Sequence, residues 1–301
     1  MARGVVIDGP DRRPAMTRLL KAEVRKLWTI WSTYVVFGIV VLIDVAFGFL
    51  IAFAPGGRRG GRAGIVPRGS SQWFVNVFSV LDNSRLLALV LGAVIITGEY
   101  RHKTVTPTFL AEPRRERVVA AKLGVGFASG AVMGVITMLT GLAVGYVLVA
   151  LSVHSCLSPA GVAQGMSQAS CSAQHGLYYF ANVHDMLHDW WRIAPGVVLG
   201  TGLFAIYGLG LGALLKNQIV AIVVGLIFTL VVEGIVGAVW PTIGEYLPGQ
   251  AATALEDAYR TSLGGSTNPL LPWWGGAIML LVYGVALAFV GTFTTLRSDI
   301  T

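Results

Sequence analysis

Four ionisable residues stand inside or at the margins of long apolar runs: Asp44, Asp82, Arg85 and Glu233. A charged group within hydrocarbon is costly unless it is neutralised, hydrogen bonded or paired. Asp44 therefore reads in two ways, as an inward-facing contact for an ion or polar solute or as a hydrogen-bonded packing residue. Asp82 and Arg85 are three apart and spaced to pair on one helical face, either lining a polar path or fixing a helix end. Glu233 would contact a solute or brace the segment that follows it.

Other reactive side chains cluster between residues 152 and 191. Cys156 and Cys171 share this one polar connection, which suggests a disulfide closing a loop of about 15 residues, a closure that contributes on the order of 3 kcal/mol in the loop-entropy account. His154, His175, His184 and His188 are nearby, but they lack the tight ligand spacing of a zinc site. No metal or cofactor is expected. The phosphate-cradling G-x-x-x-x-G-K-[ST] pattern, the dinucleotide glycine fingerprint, the G-x-S-x-G elbow and the H-E-x-x-H helix do not occur, so the chain has no recognisable means of hydrolysing a nucleotide itself.

The densest charge lies from Glu99 to Lys122, where Arg101, Lys103, Arg114, Arg115, Arg117 and Lys122 interrupt otherwise apolar sequence. Such a cationic island faces the cytoplasm under the positive-inside tendency. Pro107, with Thr106 before it, suits a helix start, and Pro113 disfavours helix at Glu112, so a short helix is expected over about Thr106 to Ala111. Val105 and Phe109 would share a face of any helix containing both, leaving an apolar spot ringed by charge. The island is thus either a contact for a partner or a solvated loop that orients the protein.

These groups need elements to hold them. With 301 residues, 54% hydrophobic, 12% charged and a mean hydropathy of +0.70, the chain reads as an integral membrane protein. Gly126, Gly130 and Gly134, and again Gly208 and Gly212, repeat at every fourth position inside apolar runs, a spacing that lets helices pack closely. An all-α, polytopic bundle is expected rather than a barrel. Residues 1–14 read as a disordered tail. Ala15 to Trp31 reads as an amphipathic interfacial helix, with Leu19, Leu20, Val24, Leu27, Trp28 and Trp31 on the apolar face and Arg18, Lys21, Glu23, Arg25 and Lys26 elsewhere. The first apolar run is too long for a secretory signal and should remain as an anchor.

Six spans are expected, over about 34–54, 78–98, 123–151, 193–215, 219–240 and 273–296, each long enough to cross about 30 Å of hydrocarbon. Residues 242–261 are too polar to cross and suit short outer helices. This arrangement places both termini inside with 15 of the 22 basic residues, although Arg58, Arg59, Arg62 and Arg68 in the first outer loop depart from the rule. The +7 charge then reports orientation and contact with anionic lipid headgroups rather than nucleic-acid binding.

Three segments carry a family resemblance: LLKAEVRKLWTIWSTY at the amphipathic helix, EYRHKTVTPTFLAEPRRERVVAAK at the charged island and YLPGQAATAL near residue 250. Together they resemble the permease subunit of type-2 ABC exporters of actinobacterial style. The resemblance implies an elbow helix at Ala15 to Trp31 before six spans, a coupling region at Glu99 to Arg117 that docks on a separate ATPase subunit, and outer helices between spans five and six. On that reading Val105 and Phe109 supply the apolar part of the docking contact, Arg101 and Arg114 meet acids of the ATPase, and ATP with its Mg²⁺ belongs to that partner. A second permease would face this one in the plasma membrane, and the cargo would be an amphipathic drug, lipid or lipid-linked metabolite. The competing expectations are a membrane anchor or sensor that transports nothing and a proton-coupled carrier.

Overall fold

The computed structural model describes residues 15–29, 31–53, 84–101, 115–156, 181–257 and 271–298. Among them the only regular structure is helical. The long elements are α1 (Ala15–Thr29), α2 (Trp31–Phe53), α3 (Ser84–Arg101), α4 (Arg115–Cys156), α5 (Ala181–Leu215), α6 (Gln218–Ile227) and α7 (Glu233–Val239). A π-helical stretch, Phe228–Val232, joins α6 to α7. Two short helices, α8 (Pro241–Gly244) and α9 (Pro248–Asp257), precede α10 (Trp273–Ser298).

Among the described residues, four segments are long and apolar enough to cross a membrane: Arg117–Val147, Trp190–Leu215, Gln218–Val239 and Trp273–Gly291. The chain is therefore a multi-pass, helical membrane protein. Helix α2 contributes the shorter apolar stretch Thr33–Phe47, and α3 carries Arg85, Glu99 and Arg101 at its two ends.

Helix α5 is the axis of the bundle and packs against α3, α4, α6, α9 and α10. Its neighbours come close because small residues meet at the crossings. A Cβ on Gly92 of α3 would lie 2.0 Å from the Ala205 carbonyl oxygen, and one on Gly208 of α5 would lie 2.0 Å from that of Leu89. The α4 face follows the four-residue glycine repeat, with Gly130 against Thr201 and Gly134 against Val198, while Gly284 of α10 meets Ile206. Without a hydrophobic force to drive helices together in lipid, this intimate van der Waals contact is what holds them. Phe204, Leu89, Met133 and Leu280 fill the centre. The α6–π–α7 segment is more peripheral, leaving Ile219, Leu230 and Ile235 more than half exposed to the surrounding apolar phase.

Local chemistry sets the breaks. Lys216 adopts φ 55° and donates its N–H to the Gly212 carbonyl, and Asn217 Oδ1 accepts from Ile219 and Val220; a left-handed C-terminal residue followed by an Asn N-cap turns α5 into α6 within two residues. Pro241 and Pro248 stand first in α8 and α9, where a missing N–H costs nothing.

The polar connection expected from Ser152 to Trp191 is shorter than its composition suggests. Helix α4 continues to Cys156 and α5 begins at Ala181, because polarity marks where a helix leaves hydrocarbon, not where it ends. For the same reason α4 starts at Arg115 instead of Leu123. Cys171, Asp82 and residues 102–114, with Val105, Phe109 and Arg114, lie outside the described residues, as do the side chains of Cys156, His184 and His188.

Candidate functional site

The two described helices that flank the cationic island are pinned to α1 by four charged side chains. Helix α1 supplies Glu23 and Lys26, one turn apart; α3 supplies Glu99 near its end; α4 supplies Lys122 within its first turns. Lys122 Nζ donates to Glu99 Oε1 and, at 3.1 Å, to Glu23 Oε2. Lys26 Nζ donates to Glu99 Oε1 at 3.1 Å and to Glu23 Oε1 at 3.0 Å. Two ammonium groups and two carboxylates make a formally neutral set.

Burial gives this set its importance. Glu23, Glu99 and Lys122 are each less than 10% exposed, whereas the Lys26 side chain remains 41% exposed. Buried charges are held in place by their partners, and removal of one leaves another stranded. The Lys26 ammonium is pulled down by partial burial, but the carboxylates of Glu99 and Glu23 outweigh that effect and raise it above its ordinary value of 10.5. Glu99 Oε2 has no hydrogen-bond partner among the described residues.

The sequence pattern had placed Glu23 and Lys26 on the polar side of α1, away from its packing face. Instead Glu23 turns inward and Val24 is 41% exposed. The α1 helix packs on α4 through Glu23 as well as through Leu20, which lies beside Gly124. Lys122 likewise belongs to the interior rather than to a solvated island. The signal for this lies in its spacing: Val118, Lys122 and Val125 share one face of α4, and the two valines are buried. Arg101 ends α3 and is exposed, two residues beyond Glu99.

The remaining acids occupy two other places. Asp44 of α2 is buried against Thr137 of α4, with Oδ2 lacking a hydrogen-bond partner among the described residues. Glu233, at the start of α7, is also buried, and its Oε2 accepts from the Gly249 N–H at 2.7 Å. That contact caps α9, whose first N–H groups have no partner within the helix. Bracing, one of the two roles the sequence left open, is therefore what the Glu233 geometry supplies. Arg85 lies within electrostatic reach of Glu233 and 6.0 Å above the Phe204 ring. Phe204, Tyr207 and Tyr283 continue this cluster edge to face. The structure thus brings Arg85 and Glu233 together and keeps Asp44 apart.

The sequence matches none of the known protein-family models, and no curated protein matches it.

Proposed function

We propose that this chain is the membrane-spanning subunit of an ABC exporter, driven by a separate ATPase that carries ATP and Mg²⁺. The observation that carries this reading is the Glu23–Lys26–Glu99–Lys122 network. It ties the amphipathic helix to both described helices flanking residues 102–114, so force applied to that segment reaches three helices at once. A chain with no nucleotide-binding motif needs such a contact with two arrangements if a partner is to drive it. The family resemblance agrees with this arrangement, and the six-span topology, the elbow role of α1, inside termini and a plasma-membrane location belong to the same proposal. So do a second permease facing this one, surrounding membrane lipids, the absence of a nucleic-acid partner and an amphipathic cargo.

The test is affinity purification of the full chain from its native membrane, followed by cargo-stimulated ATP hydrolysis in the purified complex. An ATPase subunit should co-purify, and Phe109→Ala should weaken its binding or uncouple hydrolysis from transport more than Arg114→Ala does. A buried aromatic anchor contributes about 2 kcal/mol or more to an interface, whereas a rim charge contributes less. Recovery of the chain with no ATPase, in a complex that signals without moving cargo, would favour the anchor or sensor reading instead.

A further inference from the structure

A groove of about 400 Å³ runs between α4 and α5, on the opposite side of Lys122 from the island. Phe127, Val135 and Leu139 form one wall, and Trp190, Pro195 and Leu199 form the other. The one polar side-chain group in its lining, the Trp190 indole N–H, is already committed to the Met138 carbonyl at 2.9 Å. Nothing in the lining can orient a polar solute, so the occupant that fits is hydrocarbon.

Its dimensions narrow the choice. Phe127 and Leu139 are twelve residues apart on one helix, about 18 Å along the axis. One leaflet of a bilayer is about 15 Å deep in hydrocarbon, half of the usual core. Val135 and Leu139 are 44% and 54% exposed, so the groove is open along its side, and both walls belong to segments apolar and long enough to cross a membrane. At its end farthest from Lys122, Trp191 is 72% exposed and stacks at a tilt on Trp190, with their ring centroids 6.3 Å apart. Arg192 follows and is also exposed. An aromatic pair beside a cation is the composition of a headgroup-level boundary, where an indole faces the interface and a guanidinium meets phosphate.

We infer that the α4–α5 groove holds one acyl chain of a membrane phospholipid, with the lipid phosphate at the level of Trp191 and Arg192. This site does not depend on whether the protein transports. Pro195 contributes to it in two ways: its ring lines the wall, and its missing N–H leaves α5 unable to close one backbone hydrogen bond there. The groove therefore lies beside a weakened turn of the central helix, and a chain seated in it would support that turn.

The experiment is native mass spectrometry of the full chain released from mild detergent, with the bound lipid identified by fragmentation. Wild type should retain one phospholipid per chain. Ala194→Phe and Ala131→Phe, which fill the groove from opposite walls, should lose it, while Ile235→Phe, at a 58% exposed position of α7 outside the groove, should keep it. Retention in both filling variants, or an adduct that is not a phospholipid, would overturn the proposal. A second measurement needs no filling variant. In phospholipid brominated at mid-chain, Trp190 emission, read as the difference from Trp190→Phe, should recover more slowly than Trp191 emission, read as the difference from Trp191→Phe, when unbrominated lipid is added in excess. Equal and immediate recovery at both tryptophans would mean ordinary surrounding lipid and no site.

Discussion

The Lys122 ammonium joins Glu23 and Glu99 where α1, α3 and α4 meet, with both of its partners buried. Replacement by a neutral residue of similar length would leave two carboxylates facing one another with only the half-exposed Lys26 between them. Lys122→Met should therefore destabilise the protein by about 3 kcal/mol or more, the scale for breaking a buried pair on one side. Adding Glu99→Gln should recover part of the loss by removing the stranded charge. Thermal unfolding in detergent of the single and double variants measures this, and additive effects would show that the two residues do not interact.

Lys26 gives the network a pH signature of known sign. Its folded pKa is raised by Glu99 and Glu23 against the opposing effect of burial. A lysine whose pKa is higher folded than unfolded contributes stability that is fully present below the ordinary lysine range and is lost as pH rises through the folded value. The melting-temperature gap between wild type and Lys26→Met should stay constant up to about pH 10, where an unperturbed lysine begins to titrate, and then shrink. A gap that narrows between neutral pH and that range would contradict the assignment. Because Lys26 is partly exposed, added salt should reduce the gap as well.

Helical class and membrane character were legible from apolar runs, and the glycine repeats of α4 and α5 marked real helix crossings. The ends of α4 and α5 were not, since Arg115 to Lys122 and Ala181 to Trp191 continue a helix while changing its surroundings, and polarity reports only the second. Glu233 and Arg85 were recognisable as unusual, but the electrostatic reach between them spans more than a hundred residues of sequence. Glu23 and Lys122 were missed for a related reason. Each looked like a solvated charge by type, and only the apolar residues sharing its helical face hinted that it turns inward.

Glycines at the crossings should divide sharply from glycines elsewhere. A Cβ at Gly208 would strike the Leu89 backbone, which cannot rotate away as a flexible side chain can. Gly208→Ala should cost about 3 kcal/mol, the upper part of the usual overpacking range, or prevent assembly of α3 on α5. Gly38 of α2 has no atom within 4 Å of its would-be Cβ, so Gly38→Ala should leave the protein unchanged or stabilise it by about 0.5 kcal/mol through helix propensity. Melting temperatures of the two variants in the same detergent decide the matter, and similar values for both would mean that α3 and α5 do not pack through Gly208.

Glu233 offers a direct separation of bracing from solute contact. Its Oε2 accepts the Gly249 N–H, a bond that a glutamine carbonyl can also accept but an alanine cannot. Bracing therefore predicts that Glu233→Gln is tolerated while Glu233→Ala destabilises by about 1–2 kcal/mol, in the range of a lost N-terminal cap. A role that needs the charge predicts the opposite ordering for function, with Glu233→Gln folded but inactive. Gly249→Ala supplies the second arm, because its Cβ would come within 2.3 Å of the same Oε2 and displace the carboxylate without altering it. If the contact is a brace, Gly249→Ala and Glu233→Ala should cause similar losses in melting temperature, and their combination should cost little more than either alone, since both remove one cap. Strict additivity in that double variant, or normal stability of Gly249→Ala, would show that α9 is held by its packing on α5 and α10 and that Glu233 is buried for another purpose.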